Sequence, residues 1–145
     1  MPTNLYGPFD NFDIDTSHVI PALIRKFHEA KVEGRKVVEV WGSGNVRREF
    51  LHVEDCADGI LFILENYSGH SHVNLGAGAD VTIKELAQII SQVVGFEGGL
   101  IYDKSKPDGT PRKLLDNQEI SKLGWKSQTS LLEGLRNTYS YYKSQ

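Results

Sequence analysis

Apolar residues recur with helical spacing between Ile83 and Val94, and this is the firmest pattern in the chain. The apolar positions there fall on a single helical face. Thr82 and Glu85 form the capping-box sequence that opens a helix, and Gly95 is typical of the residue that ends one. The pattern therefore predicts a helix over 83–94 that packs its apolar face against a core.

The same reasoning predicts four more helices. A stripe that begins after Ser17 indicates a helix ending near Gly34, with Pro21 tolerated in its first turn. Another apolar set predicts a helix over 54–66 that buries Ala57, Ile60, Leu61 and Leu64. The last two helices are expected to open at two further capping-box sequences, Asp116 with Glu119 and Ser130 with Glu133.

Short apolar runs predict strands between these helices. The expected strands are 37–40, 49–53, 72–75 and 100–102, whereas 1–16 and 104–113 are rich in turn formers and are expected to be loops. Alternating strands and helices indicate an α/β fold. The strands are too few to close a sheet, which fits a piece of a larger fold with some apolar surface made for absent neighbours.

Composition narrows the class of protein. The chain has 145 residues, 39% of them hydrophobic, which suits one domain with a core. Its net charge of −3, with acids and bases interspersed, gives no reason to expect nucleic acid or a membrane surface as a partner. No signal peptide and no membrane span are recognisable. The single cysteine, Cys56, is expected to be a packed thiol. Because one cysteine cannot form an internal disulfide, the sequence fits a reducing cytoplasmic location.

Two glycine motifs, Gly42-Ser-Gly44 and Gly76-Ala-Gly78, invite a dinucleotide-loop interpretation that their context does not support. A polar turn and then a predicted strand, rather than a helix, follow Gly42-Ser-Gly44. Gly76-Ala-Gly78 follows a predicted strand, but Val81 occupies the third glycine position and no acidic residue closes a following strand. A turn between strand and helix is the better interpretation. The five histidines show no zinc-binding spacing, so no metal site is expected.

His18 is the most interesting titratable residue. It falls at the predicted first turn of a helix, where the positive end of the helix dipole disfavours an imidazolium. A neutral imidazole can exchange protons in acid–base catalysis, although a solvated first-turn residue is the simpler interpretation.

Trp41, beside a glycine turn, could stack on a base or lie in the core. Six basic residues could contact a diphosphate or could be ordinary surface charges: Lys26, Arg47, Arg48, Lys106, Arg112 and Lys113.

Five motifs give the whole chain a resemblance to the GDP-L-fucose synthases, which are extended short-chain dehydrogenases/reductases. The motifs are Pro2-Thr-Asn-Leu-Tyr-Gly-Pro8, Ser17-His-Val-Ile-Pro-Ala22, Trp41-Gly-Ser-Gly44, Arg48-Glu-Phe-Leu-His-Val53 and Lys106-Pro-Asp-Gly-Thr-Pro-Arg-Lys113. The resemblance implies the last elements of a Rossmann fold plus a small α/β substrate-binding domain over 1–145. The cofactor-binding portion, with its glycine fingerprint and Tyr-x-x-x-Lys pair, is expected to be absent, leaving this portion inactive alone.

The resemblance also implies roles for individual residues. Pro2, Thr3, Asn4, Leu5 and His18 match positions near the nicotinamide of NADP, and His18 matches the proton donor in epimerisation. The positions that match substrate contacts are Lys26, Trp41, Arg48, Asp108 and Lys113. Lys26 stands where the family usually has Arg, so it keeps the charge and loses the two-pronged contact.

The implied reaction converts GDP-4-keto-6-deoxy-D-mannose to GDP-L-fucose. The sugar is epimerised at C3 and C5, and NADPH then reduces the C4 ketone, in an enzyme that is typically a homodimer. Two alternatives stay open: an enzyme acting on another nucleotide sugar, and a nucleotide-sugar-binding module without catalysis.

Overall fold

The computed structural model describes residues 1–145 and contains five helices and six strands. In chain order these are β1 Asn4–Tyr6, α1 Val19–Val32, β2 Val37–Trp41, β3 Arg47–His52, α2 Val53–Asn66, β4 Asp80–Thr82, α3 Ile83–Val94, β5 Gly99–Asp103, β6 Arg112–Lys113, α4 Gln118–Leu123 and α5 Leu131–Lys143. The α/β class predicted from the alternating pattern is confirmed.

Strand β3 organises the larger sheet. It pairs in parallel with β1 and with β6, and antiparallel with β4. Its first half contacts β4 and β6, whereas its second half contacts β1, so one strand connects three separate chain segments. Strands β2 and β5 form a second, two-stranded parallel sheet.

The main core lies between α1, α3 and α5. The predicted stripes of α1 and α3 supply fully buried side chains such as Phe27, Leu86 and Ile90, and Leu135 of α5 joins them. The capping box of α3 is present in full, and Gly95 adopts the left-handed conformation that ends the helix. A smaller cluster holds Cys56, where burial raises the pKa of the thiol. The packed-thiol interpretation of this cysteine is thereby confirmed.

Several local predictions are wrong because pairing with a neighbour decides these segments. The stretch 1–16 is not all loop, since it contains β1. The expected strand at 72–75 is reduced to a single bridge between Pro2 and Leu75. Strand β6 lies within the expected loop 104–113, and β4 was not predicted at all. At the two late helices, Asn117 caps α4 without a side-chain bond, whereas Ser130 does accept from the Glu133 N–H.

Helix α2 is present over the expected range, but it is rotated relative to the prediction. Its buried residues are Asp55, Cys56 and Gly59, while Ile60, Leu61 and Leu64 are exposed. A Cβ at Gly59 would lie 2.5 Å from Leu75 Cδ1, so this side of the helix packs too closely for any larger residue. Small and polar side chains therefore face inward, and the apolar stripe faces out.

None of the five helices combines the length and the apolar character that crossing a bilayer requires.

Candidate functional site

A cavity of about 520 Å³ opens where β1, the N-terminus of α1 and the loop after β5 meet around β3. Seven of the ten residues predicted for the site line it: Thr3, Asn4, Leu5, His18, Trp41, Arg48 and Asp108. The walls also contain apolar residues that the sequence did not single out as site residues: Val19, Ile20, Pro21, Val46, Phe50, Ile83 and Pro107. Most of these belong to helix or strand patterns, so nothing in the sequence separates them from the core.

Three predicted residues lie outside the cavity lining. Pro2 forms the bridge to Leu75 behind it. Lys26 lies beside Trp41 and donates to the Glu39 carbonyl at 3.4 Å. Lys113 is exposed on β6, in register with Arg48.

Buried Glu49 lies outside the cavity lining but holds two of the lining residues in place. Its main-chain carbonyl accepts from the Asn4 amide at 2.8 Å and from the Thr3 hydroxyl at 3.4 Å. Its carboxylate accepts from the backbone N–H groups of Gly78 at 2.8 Å and Leu115 at 3.0 Å. The fully buried Glu49 side chain thus connects β3 to two loops, and the Glu49 main chain orients the start of β1.

The same contacts settle the role of the Gly76-Ala-Gly78 turn. The Gly78 N–H is already bonded to the Glu49 carboxylate, and a Cβ at Gly76 would lie 2.4 Å from the same carboxylate. A carboxylate at this position would repel a phosphate. The turn therefore binds a carboxylate of its own chain and leads into β4, and it does not serve as a dinucleotide loop.

His18 is the N-cap residue of α1 and precedes the first turn rather than lying in it. Its backbone is extended and its side chain makes no capping bond, so the exposed imidazole stays available to the cavity. Two polar atoms nearby in the chain are buried without a partner, the Asp10 Oδ2 and the Ser17 Oγ. Burial raises the pKa of the Asp10 carboxyl, and the hydrogen bond from the Asn11 N–H partly opposes that rise.

Trp41 is 59% exposed, so it is not the core aromatic that the simpler interpretation favoured. The ammonium groups of Lys26 and Lys106 lie 4.7 Å and 5.2 Å from its ring centroid. Partial burial lowers the pKa of Lys26. An exposed indole flanked by cations forms a flat, positively charged edge beside the cavity, suited to an anionic ligand with an aromatic ring.

Arg48 holds the loop that follows β5. Its Nη1 donates to the carbonyls of Arg47 at 2.8 Å and Thr110 at 2.6 Å, and its Nη2 donates to the Asp108 carbonyl at 3.4 Å. The Nε–H and one Nη2–H have no partner within the chain. The Nε–H and Nη2 lie on the same edge of the planar guanidinium, and the spacing of the donors along such an edge suits two phosphate oxygens.

Asp108 closes this loop against the glycine turn after β2. Its carboxylate accepts from the Ser43 N–H at 2.7 Å, and hydrogen bonding from Ser43 holds the pKa of Asp108 below its usual range. A Cβ at Gly42 would lie 2.5 Å from the Asp108 Oδ1, and Gly42 has a φ of +83°. Glycine is therefore required there for the loop to approach.

Two of the six candidate diphosphate contacts are occupied elsewhere. Arg47 and Arg112 both donate to the carboxylate of Asp80, and these hydrogen bonds lower the pKa of that carboxyl. No group of three or more His, Cys, Asp or Glu side chains is arranged to hold a metal ion.

Comparison with known proteins identifies the family. Residues 1–76 match the family model described as the NAD dependent epimerase/dehydratase family. The chain belongs to this family.

Individual members of the epimerase/dehydratase family match almost all of the chain. The probable GDP-L-fucose synthase 1 of Oryza sativa subsp. japonica is 58% identical over 142 residues, which cover 98% of this chain and 43% of the relative. The GDP-L-fucose synthase of Escherichia coli (strain K12) is 51% identical over 151 residues, covering 98% of this chain and 47% of the relative. The chain therefore spans less than half the length of these relatives.

A solved structure agrees in fold. The GDP-L-fucose synthetase from Naegleria fowleri bound to NADP superimposes with a TM-score of 0.92 at 32% identity, over 99% of this chain and 45% of that one. The α/β architecture and the resemblance to GDP-L-fucose synthases are confirmed. The roles of individual residues and the domain division stay predictions.

Proposed function

We propose that this chain forms the sugar-nucleotide-binding portion of a GDP-L-fucose synthase. The observation that carries the proposal is the convergence of five residues from five different elements on one cavity of about 520 Å³, namely Asn4, His18, Trp41, Arg48 and Asp108. The similarity to relatives named GDP-L-fucose synthase supports this choice of substrate over other nucleotide sugars.

The diphosphate is expected at Arg48, whose free Nε and Nη2 edge faces no partner of its own chain. The exposed Lys113 lies next to it on β6 and adds positive charge. The guanine ring is expected near Trp41 because an exposed indole offers a stacking surface. Asp108 would keep the loop closed over the nucleotide through its bond to Ser43.

The keto sugar would then lie toward β1 and the start of α1. Epimerisation removes a proton from a carbon next to the C4 carbonyl and returns one to the opposite face. His18 is placed to return that proton, since its imidazole borders the cavity and is not used in capping the helix.

NADPH would supply the hydride that reduces the C4 ketone. The residues present fit only one end of that cofactor. Thr3, Asn4 and Leu5 border the cavity where a nicotinamide could contact β1, and Pro2 lies just behind them. No glycine loop for its phosphates is available, because the Gly76-Ala-Gly78 turn is held by Glu49. The remaining contacts would come from outside these 145 residues, in an enzyme that we expect to be a cytoplasmic homodimer.

Two measurements test the proposal. Titration calorimetry of this chain with GDP and with UDP should show binding of GDP in preference to UDP; a clear preference for UDP would point to another nucleotide sugar, and no heat with either would contradict the proposal. Catalysis requires a longer polypeptide, for which this chain is grafted in place of the matching part of the Escherichia coli relative.

In that graft we expect His18→Asn to reduce deuterium incorporation from solvent at C3 and C5 by about 100-fold or more, the usual contribution of a general acid or base. The affinity for GDP should stay nearly unchanged, because His18 does not lie among the diphosphate contacts. Equal loss of epimerisation and GDP binding would refute an acid role, and full activity would remove His18 from the mechanism.

A further inference from the structure

The carboxylate of Asp10 has one oxygen that is shut off from solvent and bonded to nothing. Its Oδ1 accepts from the Asn11 N–H at 2.8 Å. Its Oδ2 is buried and has no hydrogen-bond partner. A buried carboxylate oxygen without a donor destabilises a folded protein, so a group of this kind needs a physical explanation.

The loop that carries this carboxylate is fixed by its own hydrogen bonds. The Asp13 Oδ1 accepts from the Thr16 N–H at 3.0 Å and from the Thr16 hydroxyl at 2.9 Å. The Asn11 amide donates to the same hydroxyl at 2.9 Å. Arg25 of α1 donates to the Phe12 carbonyl at 3.1 Å, which ties the loop to the helix that follows it. These bonds join the beginning of the loop to its end, so the carboxylate is held near the start of α1.

The charge that acts on the Asp10 carboxylate comes from His18. Burial has the largest effect and raises the pKa of Asp10, whereas the Asn11 hydrogen bond and the His18 charge both lower it. The His18 imidazole makes no capping bond, so it is free to form another contact at the start of α1. The neighbouring Ser17 hydroxyl is also buried without a partner. Polar groups that need partners therefore gather beside the imidazole.

A proton donor at this position needs a negative neighbour. The first N–H groups of α1 carry partial positive charge, which disfavours an imidazolium at the N-cap. Two other charged side chains line the cavity with His18. Arg48 opposes the protonated imidazole, and the carboxylate of Asp108 is already bonded to the glycine turn after β2. Asp10 is therefore the carboxylate with an oxygen left for the imidazolium.

We propose that Asp10 is a positioning residue, whose Oδ2 pairs with the protonated imidazole of His18 and holds it ready to give a proton to the sugar. This rests on the proposed function, in which His18 returns the proton during epimerisation. In that step the imidazole N–H bond breaks while the electron pair of the enolate forms the new C–H bond, and a neutral imidazole is left. Asp10 does not line the cavity and stays ionised throughout. Its charge favours the protonated donor before the transfer.

Histidine NMR tests the pairing in the 145-residue chain, without nucleotide or turnover. The titration midpoint of the His18 ring Cε1–H signal is followed from about pH 5 to pH 9, and His18→Asn assigns the signal by removing it. Asp10→Asn keeps the shape of the side chain and the oxygen that accepts from Asn11. It should lower the midpoint by about 1 pH unit, because the imidazolium loses the charge that stabilises it.

Asp15→Asn is the matched control. It removes the same charge from an exposed side chain of the same loop that makes no hydrogen bond, so it should shift the midpoint far less. Equal midpoints in the unaltered chain and in Asp10→Asn would overturn the inference. Equal shifts for Asp10→Asn and Asp15→Asn would also overturn it, because they would show a general effect of loop charge. If the chain alone gives no dispersed spectrum, the same titration is carried out on the Escherichia coli graft.

The pH dependence of epimerisation separates positioning from a loss of structure. In the graft, Asp10→Asn should reduce deuterium incorporation at C3 and C5 about tenfold near pH 8, since a midpoint lower by about 1 unit leaves about one tenth of the imidazole protonated there. The loss should shrink toward pH 6, where the imidazole is protonated without help. A loss that is the same at every pH would contradict the inference. The proposed function fails if GDP does not bind or if His18→Asn keeps full activity, whereas the pairing fails on the NMR midpoint, so the two failures are distinguishable.

Discussion

Glu49 offers the sharpest test of how the candidate site is held together. Its side chain is fully buried, and its two carboxylate oxygens each accept a backbone N–H, from Gly78 and from Leu115. Replacing Glu49 with Gln preserves the shape but leaves only one oxygen. The new amide NH₂ would face one of the two N–H donors, so that donor and the NH₂ would both lack an acceptor.

The expected cost follows from these two bonds. A hydrogen bond to a charged group contributes about 1.5–3 kcal/mol, and a buried donor without a partner costs about 1–3 kcal/mol. Glu49→Gln should therefore lower the free energy of unfolding by about 2.5–6 kcal/mol, a large share of the roughly 5–15 kcal/mol of a typical domain. With an m value of about 2 kcal/mol/M in urea, the midpoint should fall by about 1–3 M.

Urea denaturation followed by circular dichroism measures this change. Glu97→Gln is the matched control, because Glu97 is exposed and makes no hydrogen bond or ion pair through its side chain, and it should leave the midpoint in place. The reasoning fails if Glu49→Gln costs less than about 0.5 kcal/mol, the usual range of a surface substitution. That result would mean that the N–H groups of Gly78 and Leu115 find other acceptors when the carboxylate is lost.

Two further predictions concern charged groups. Arg48→Lys should weaken GDP binding by about tenfold or more, because a point charge replaces the planar edge that binds two oxygens. The substitution should also loosen the loop that Arg48 holds through the Thr110 carbonyl. An unchanged GDP affinity by calorimetry would show that Arg48 does not contact the phosphates. Hydrogen bonds from Arg112 and Arg47 lower the pKa of Asp80 in the folded state. The contribution of Asp80 to stability is therefore full above its unfolded pKa of about 4, and it is lost as the pH falls through the lower folded pKa. Asp80→Asn should reduce the loss of unfolding free energy between pH 5 and pH 2, measured by denaturation, and an unchanged loss would refute the assignment.

Periodicity predicted the elements that are stabilised by their own amphipathic faces. Helices α1 and α3 follow the apolar stripes, since each buries a single face against the main core. Strands β1, β4 and β6 escaped prediction because two or three residues are too few to show a period of two. These strands exist through hydrogen bonds to β3, which connects segments far apart in sequence.

The resemblance named half of the residues that line the cavity, but it did not predict what holds them. Arg48 contacts Thr110 across 62 positions of sequence, and Glu49 contacts Leu115 across 66. Such partners are backbone groups, which every residue offers, so no side-chain motif marks them. The sequence therefore identifies the chemistry of the site, whereas its preorganisation follows only from the folded arrangement.

Helix α2 shows where a hydrophobic pattern stops being informative. The stripe Ile60, Leu61 and Leu64 predicts burial, but all three side chains are exposed. The inward side is set by Gly59 and by the acceptors Asp55 and Asp58, residues that an apolar pattern does not mark as inward-facing. An apolar stripe indicates only which side of a helix would gain from burial. In α2 the close packing of the opposite side against the rest of the chain decides that the apolar side stays exposed.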